Sequence, residues 1–313
     1  MSPNISVIIP NFNHARFLVQ RIDSVLNQTY QDFEVIILDD CSTDNSKEII
    51  ESYRHHPKVK CIVYNEVNSG GTFKQWGKGI NLAEGQYIWI AESDDYANEL
   101  FLETLIEAYQ TDTNIGLVYC QSKMVDAEGY VTQDLTWWTN DLSKERWNNP
   151  FFNIGINEIQ KYLKFKNTIP NASAVLIKKE YLIQAMRSNI QLKLCGDWLV
   201  WTRILFQANI YYSNKPLNCF RFHANSVRST TKTKQYFIEH LSILNEISGH
   251  IKNVMLYEVR LLVSLKNELI KTVNFNSKLN SYLKLTSLLI LSLSINPVSI
   301  NKLIKFMIIK KWR

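Results

Sequence analysis

The segment YIWIAESDDY, Tyr87 to Tyr96, runs a short apolar strand pattern straight into Glu92, Ser93, Asp94 and Asp95. Three carboxylates therefore crowd the C-terminal end of a strand that the pattern predicts to be buried. Desolvating an unpaired carboxylate is costly, so water, a cation or a metal must compensate them. Hard carboxylate oxygens at near-adjacent positions suit Mg²⁺ or Mn²⁺, which keep waters and bind substrate phosphates. The plainer alternative is a set of solvated acids on a loop.

Other segments carry comparable groups. Asp39 and Asp40 end the strand pattern FEVIILDD, and Ser42–Ser46 follow as a turn in which Thr43 or Asp44 caps a helix starting near Asn45. The two acids precede that cap, where a strand-end carboxylate can accept a hydrogen bond from a nucleobase N–H or a ribose hydroxyl. In NSGGTFKQWGKGINLAEG, from Asn68, Gly70 and Gly71 permit close backbone approach to a ligand and Lys74 can meet an anion. A glycine turn before an amphipathic helix explains the same residues. No GK[ST] ending and no GxGxxG are present, which argues against a Walker loop and a dinucleotide site. Asp197 opens the helix pattern GDWLVWTRILFQ, as a first-turn acid favoured by the helix dipole, as a proton acceptor, or as both. In CFRFHANSV, two-residue alternation puts Arg221 and His223 on one face of a strand.

The elements that must position these groups alternate. Strand patterns begin at Ile5, Phe33, Val59, Gln86 and Ile115, separated by helix patterns over 14–27, 44–53, 72–83 and 98–110. Continuous apolar strands between amphipathic helices predict an α/β fold with a mainly parallel central sheet and helices on both faces. Ligands of such sheets sit beyond the C-terminal strand ends, where Pro10, Asn13, Asp39, Asp40, Asp94 and Asp95 fall. From Asp126 to Asn167 the periodicity weakens and Trp137, Trp138 and Trp147 appear, an aromatic irregular stretch expected to bind something. SAVLIK, a helix over 196–207 and PLNCFRFH follow, and after Val227 the chain reads as helical.

Composition narrows the classes. The 313 residues are 46% hydrophobic and 20% charged, an ordinary globular balance. Five cysteines with no CxxC pair argue against a disulfide framework or zinc site and for a reducing compartment. Too few residues precede Ile5 for a cleaved signal, so none is expected. The net charge of +6 is unevenly spread: residues 251–313 hold eleven Lys/Arg against two Glu. With the basic excess confined to the tail, nucleic acid is not an expected partner.

In this order and spacing, VIIPNFNHARFLVQRIDSVLNQTYQDFEVIILDDCSTD, the glycine loop with ESDD, CGDWLVW and RFHANSV together resemble the family 2 glycosyltransferases of bacterial cell-surface polysaccharide synthesis. The likeness covers roughly Ile5 to Val227. It implies a GT-A fold, Rossmann-like, over residues 1–227: a nucleotide-binding half over 1–120, a catalytic and acceptor half over 121–227, and a basic helical C-terminal extension over 228–313. It also implies an inverting, metal-assisted single displacement. The donor would be a nucleotide-diphosphate sugar, with UDP the leading nucleotide. The acceptor would be a glycan or lipid-linked saccharide in O-antigen or capsule synthesis.

Residue by residue, Pro10, Asn13, Asp40, Gly71 and Lys74 would surround the nucleotide, with Asp40 facing the base. Asp95 and His223 would bind Mn²⁺ or Mg²⁺, Asp94 would approach the ribose or donor sugar, and Asp197 would be the general base. Trp138 and Trp198 would meet the acceptor. Two departures stand out: Glu92 where many members have Asp, and Cys41 where Gly is commoner. A lipid-linked acceptor would suit a cytoplasmic enzyme held at the inner face of the membrane. The basic, aromatic tail INKLIKFMIIKKWR fits an anionic surface, and oligomer packing is its alternative. A sugar-1-phosphate nucleotidyltransferase and a non-catalytic scaffold are the competing readings; the first lacks its Gly/Arg/Lys-rich opening loop, and the second has no need of Asp95, Asp197 and His223.

Overall fold

The computed structural model describes residues 3–187, 190–223 and 233–251. The chain divides into two compact units, Met1–Thr231 and Lys232–Arg313. The expected basic membrane segment over 300–313 lies outside the described residues.

Strands β1 (Ile5–Asn11) and β2 (Phe33–Asp39) are buried at every position, which is what unbroken apolar runs require at the centre of a two-sided sheet. With β3 (Val59–Tyr64) and β4 (Tyr87–Ile90) they pair in parallel, in the order β3-β2-β1-β4. The sheet continues through β9 (Val175–Lys178), β6 (Ile115–Val125) and β10 (Asn209–Arg221) to the two-residue β5 (Tyr96–Ala97). β9 runs antiparallel to both β4 and β6, so the five strands read from the first 120 residues all point one way. β7 (Val131–Asp134) and β8 (Phe151–Asn153) add to β6 and β10.

Helix α1 (Ala15–Leu26) buries Phe17, Leu18, Ile22 and Val25, one helical stripe, together with Arg21. α2 (Ser46–Ser52), α3 (Thr72–Leu82) and α4 (Phe101–Ala108) follow as expected. α5 (Gly155–Glu158), α6 (Lys179–Met186) and α7 (Gly196–Leu205) complete the first unit, and α8 (Thr233–His250) lies in the second.

Two expectations need correction. β10 is 13 residues long and begins at Asn209, not Pro216. Its pairing with β6 shifts register on either side of Pro216, and that irregularity admits a residue with no N–H to donate. The Asp126–Asn167 stretch holds many of its aromatics for internal use. The Arg146 guanidinium lies 3.6 Å from the Phe151 ring centre and 4.2 Å from that of Tyr162, and it donates to the fully buried Glu158 (2.6 Å). Trp147 is buried beside them and donates its indole N–H to Tyr119 Oη (2.8 Å).

The ends of β1 and β2 are tied together. Asp44 accepts the backbone N–H of Ala15 (2.9 Å) through one oxygen and that of Ser46 (3.0 Å) through the other, so one carboxylate serves the starts of α1 and α2. Both loops turn through left-handed residues, Asn13 (φ 56°) and Cys41 (φ 66°). That conformation costs a residue with a Cβ roughly 1–2 kcal/mol, which explains why glycine suits position 41. Cys41→Gly should raise stability by about 0.5–1 kcal/mol once the larger unfolded-chain entropy of glycine is subtracted. Urea unfolding measures it, and an unchanged or lowered midpoint would show that the turn is unstrained.

Candidate active site

Beyond β4 the chain keeps alternating. Ala91 N–H still donates to Ile8 O (2.8 Å), after which Ser93 and Asp95 turn inward while Glu92 and Asp94 face the more open side. Asp95 is 2% exposed, and its carboxylate accepts the Arg221 backbone N–H (2.8 Å). The Arg221 side chain donates to the backbone oxygens of Asp94 (2.7 Å), Asp126 and Ala127 (both 3.0 Å) and to Gln20. Arg21 is fully buried and donates Nε–H to Glu92 O (2.8 Å); its Nη1 and Nη2 have no hydrogen-bond partner among the described residues. Both guanidiniums thus bind the main chain around the acids, and the Arg21 charge opposes the rise of Glu92 and Asp95 without cancelling it. Burial, reinforced by the Asp94 charge, still pushes the Glu92 carboxyl up to about 8 and raises Asp95 for the same reasons. Burial lowers Arg21 to about 10, with the Asp95 charge opposing it.

Asp94 meets different company. Its Oδ2 lies 3.1 Å from His223 Nε2. Burial pushes this carboxyl up, but the bond to His223 and the proximity of His14 outweigh it and hold it below the ordinary range. His14, at the start of α1, shares a hydrogen bond from Nδ1 with Ser93 Oγ (2.8 Å). Its ring stands edge-on to that of His223 at 5.6 Å, and Phe17 packs against both. One ligand atom from each of His14, Asp94 and His223 falls within 4.8 Å of the others. Of the expected pair of Asp95 and His223, strand alternation turns Asp95 towards the core, and it is Asp94 that meets the histidine. Two imidazoles and a carboxylate form a donor set that fits a divalent first-row cation such as Mn²⁺. His14 escaped the sequence reading, although it stands at the same strand end as Pro10 and Asn13. Arg221 and His223, expected on one face, do share Phe17, with the Arg221 guanidinium 4.6 Å from its ring centre.

On the β2 side, Asp40 organises the glycine loop. Its Oδ1 accepts from Asn65 Nδ2 (2.6 Å), Ser69 N–H (2.8 Å) and Gln75 Nε2 (2.9 Å), and its Oδ2 from Ser69 Oγ (2.7 Å). Asn13 Oδ1 accepts the Thr43 N–H (2.7 Å), and Lys74 Nζ donates to Ser69 O (2.7 Å). A Cβ added to Gly71 would meet nothing within 4 Å, so the approach to this loop is open. Pro10 lies two residues past Ile8↔Ile90, where the β1–β4 ladder ends and no donor is needed.

Asp197 occupies the first turn of α7. Its Oδ1 accepts the Trp198 N–H (2.7 Å) and its Oδ2 accepts from Asn167 Nδ2 (3.1 Å). The same Asn167 takes the Trp138 indole N–H on its backbone oxygen (2.7 Å), which links the half-buried Trp138 to Asp197. Trp198, expected to meet the acceptor, is 1% exposed and donates its indole N–H to Leu163 O (3.0 Å). A Cβ on Gly196 would come within 2.2 Å of Phe73, so glycine lets the start of α7 pack against the start of α3. From α3, Trp76 donates to Glu92 Oε1 (2.9 Å) and packs near Trp201, joining the acidic strand end to α7.

Asp40→Ala should leave the donors of Asn65, Ser69 and Gln75 without their acceptor, at a cost of about 2–3 kcal/mol. Limited proteolysis should then cut at Lys74 or Lys78, and a variant as resistant as wild type would show that the loop holds itself.

The Glycosyl transferase family 2 profile matches residues 6–163, half of the chain. Glycosyltransferase GlyG of Streptococcus pneumoniae is 39% identical over 122 residues, 38% of this chain and 40% of GlyG. The poly(ribitol-phosphate) beta-N-acetylglucosaminyltransferase TarS of Staphylococcus aureus is 37% identical over 105 residues, 33% of this chain and 18% of TarS. The matched segments thus span well under two thirds of these relatives. In structure, TarS 1–349 in complex with UDP-GlcNAc superposes with a TM-score of 0.65 at 21% identity, covering 89% of this chain and 78% of that one. The mannosyltransferase PcManGT of Pyrobaculum calidifontis, in complex with GDP-Man and Mn²⁺, gives a TM-score of 0.55 at 13% identity, over 94% of this chain and 81% of that one. With the profile matching half of its length and the fold shared with TarS, the chain belongs to the family 2 glycosyltransferases.

Proposed function

We propose that the protein moves a sugar from a nucleotide-diphosphate sugar, with UDP as the leading nucleotide, to a hydroxyl of a glycan or lipid-linked saccharide. The product would be a bacterial cell-surface polysaccharide of the O-antigen or capsule kind. The observation that carries this reading is Asp94 meeting His223 beyond the C-terminal end of β4, 129 residues apart in the chain. The TarS complex with UDP-GlcNAc supports the donor class.

Pro10, Asn13, Gly71 and Lys74 border the nucleotide, and Asp40 fixes the Asn65–Gln75 loop beside them. Asp94 and His223 would hold Mn²⁺ or Mg²⁺, which when bound neutralises charge on the departing diphosphate. An acceptor hydroxyl is a weak acid, so its proton must leave as attack on the anomeric carbon develops. Asp197 takes that proton as the carbon–oxygen bond to the diphosphate breaks, in one displacement that inverts the centre. Asn167 keeps one Asp197 oxygen oriented. No helix among the described residues is long and apolar enough to cross a membrane. We place the enzyme in the cytoplasm, attached to the inner membrane face through the basic tail.

Asp197→Asn should keep donor affinity while turnover falls by roughly 10²–10⁴-fold. Asp94→Asn should instead lose metal-dependent binding of UDP or another nucleoside diphosphate. Turnover within a few-fold of wild type in Asp197→Asn would reduce Asp197 to a first-turn helix acid. A failure of every nucleotide sugar to bind wild type with Mn²⁺ would sink the transferase reading itself.

A further inference from the structure

The Asp94–His223 contact would be an ordinary ion pair if it stood alone. It does not. His14, from a third chain segment, brings a ring nitrogen into the same space, so that ligand atoms of all three residues lie within 4.8 Å of one another. The two imidazoles stand in an edge-to-face arrangement, 88° apart, with ring centres separated by 5.6 Å. Ser93, 2% exposed, engages His14 Nδ1 at 2.8 Å, leaving Nε2 as the nitrogen available to a cation. A histidine whose second nitrogen is held by a neighbouring oxygen is the usual form of a metal-ligating imidazole, because that bond fixes both tautomer and ring orientation. Phe17 closes the apolar side of both rings, at 6.0 Å from His14 and 5.1 Å from His223. Plain packing of His14 against Phe17 would account for the ring contact; it would not account for the buried hydroxyl on Nδ1 or for the convergence with Asp94.

We infer that His14 is a third protein ligand of the catalytic cation, completing a two-histidine, one-carboxylate face, and that this face selects Mn²⁺ over Mg²⁺. The inference rests on the metal-dependent reading proposed above and deepens it. Imidazole nitrogen suits first-row transition ions, whereas Mg²⁺ prefers carboxylate, carbonyl and water oxygens. Each imidazole in the set therefore widens the gap between the two metals. With these three protein ligands, water and diphosphate oxygens would supply the rest of the cation's coordination. Ser93 is then a positioning residue that acts through His14.

The test is pulsed electron paramagnetic resonance of Mn²⁺ bound to the full-length protein with UDP, counting imidazole nitrogens in the first coordination sphere. Two are expected in wild type and one in His14→Ala, whose Mn²⁺ affinity should fall by at least roughly tenfold while its Mg²⁺ affinity changes far less. Ser93→Ala should keep both nitrogens and lose Mn²⁺ affinity by about tenfold. A single nitrogen in wild type overturns the inference and leaves the transferase reading intact, and it does so even if His14→Ala fails to fold. The absence of any bound Mn²⁺ in the presence of UDP overturns the metal-dependent reading as well. Equal Mn²⁺ and Mg²⁺ affinities in wild type, with two nitrogens seen, would remove the selectivity claim.

Discussion

Burying two guanidiniums beneath an acidic strand end is the constraint on which the rest of this fold hangs. Glu92, Asp94 and Asp95 follow a buried strand, and guanidiniums brought by α1 and by the end of β10 bind the main chain around them. Arg21 is the polar residue in an otherwise apolar helix stripe. Arg221 arrives along a 13-residue strand that must start at the far edge of β6 to deliver it. Removing one partner from such a set strands the others in low dielectric, which is far more costly than never having built it.

Much of the architecture was legible because its signals are local. Five unbroken apolar runs and the helices between them needed only periodicity, and the strand-end positions of Asp40, Asp94 and Asp95 followed. The inward or outward facing of adjacent acids was not legible. Asp94 and Asp95 are chemically identical, and only the register of β4 against β1 and the arrival of Arg221 decide which one is buried. His14 was missed for a related reason: Ser93, Asp94 and His223 stand 79 and more residues away, and nothing in its immediate sequence marks it. Pro216 shortened a strand on paper that the sheet accommodates by slipping register. Trp147 and Trp198 show the limit of reading aromatics by type, since the side chains expected at a binding surface fill the core.

The open and closed halves of the site differ in how they are held. Around Asp40 the donors are already satisfied, so the glycine loop reaches its shape without a ligand. Around Asp94 the side chains come from three separate segments and are joined by the Asp94–His223 contact and the His14–Ser93 hydrogen bond. The loop around Asp40 is thus fixed by its own hydrogen bonds, whereas His14, Asp94 and His223 meet from three separate segments.

Asp44 has a consequence for how this protein can change over generations. One carboxylate terminates two helices, and Asn13 and Ser42 stitch the same pair of turns. An insertion or deletion in either turn would release both helix starts at once, so length variation is barred at the ends of β1 and β2. Diversity must then accumulate where the chain is not doubly bound, in exposed stretches such as Val131–Asp134 and around Trp137. Descendants of this sequence would be expected to keep the first turns to the residue while rewriting the segment between β6 and β9.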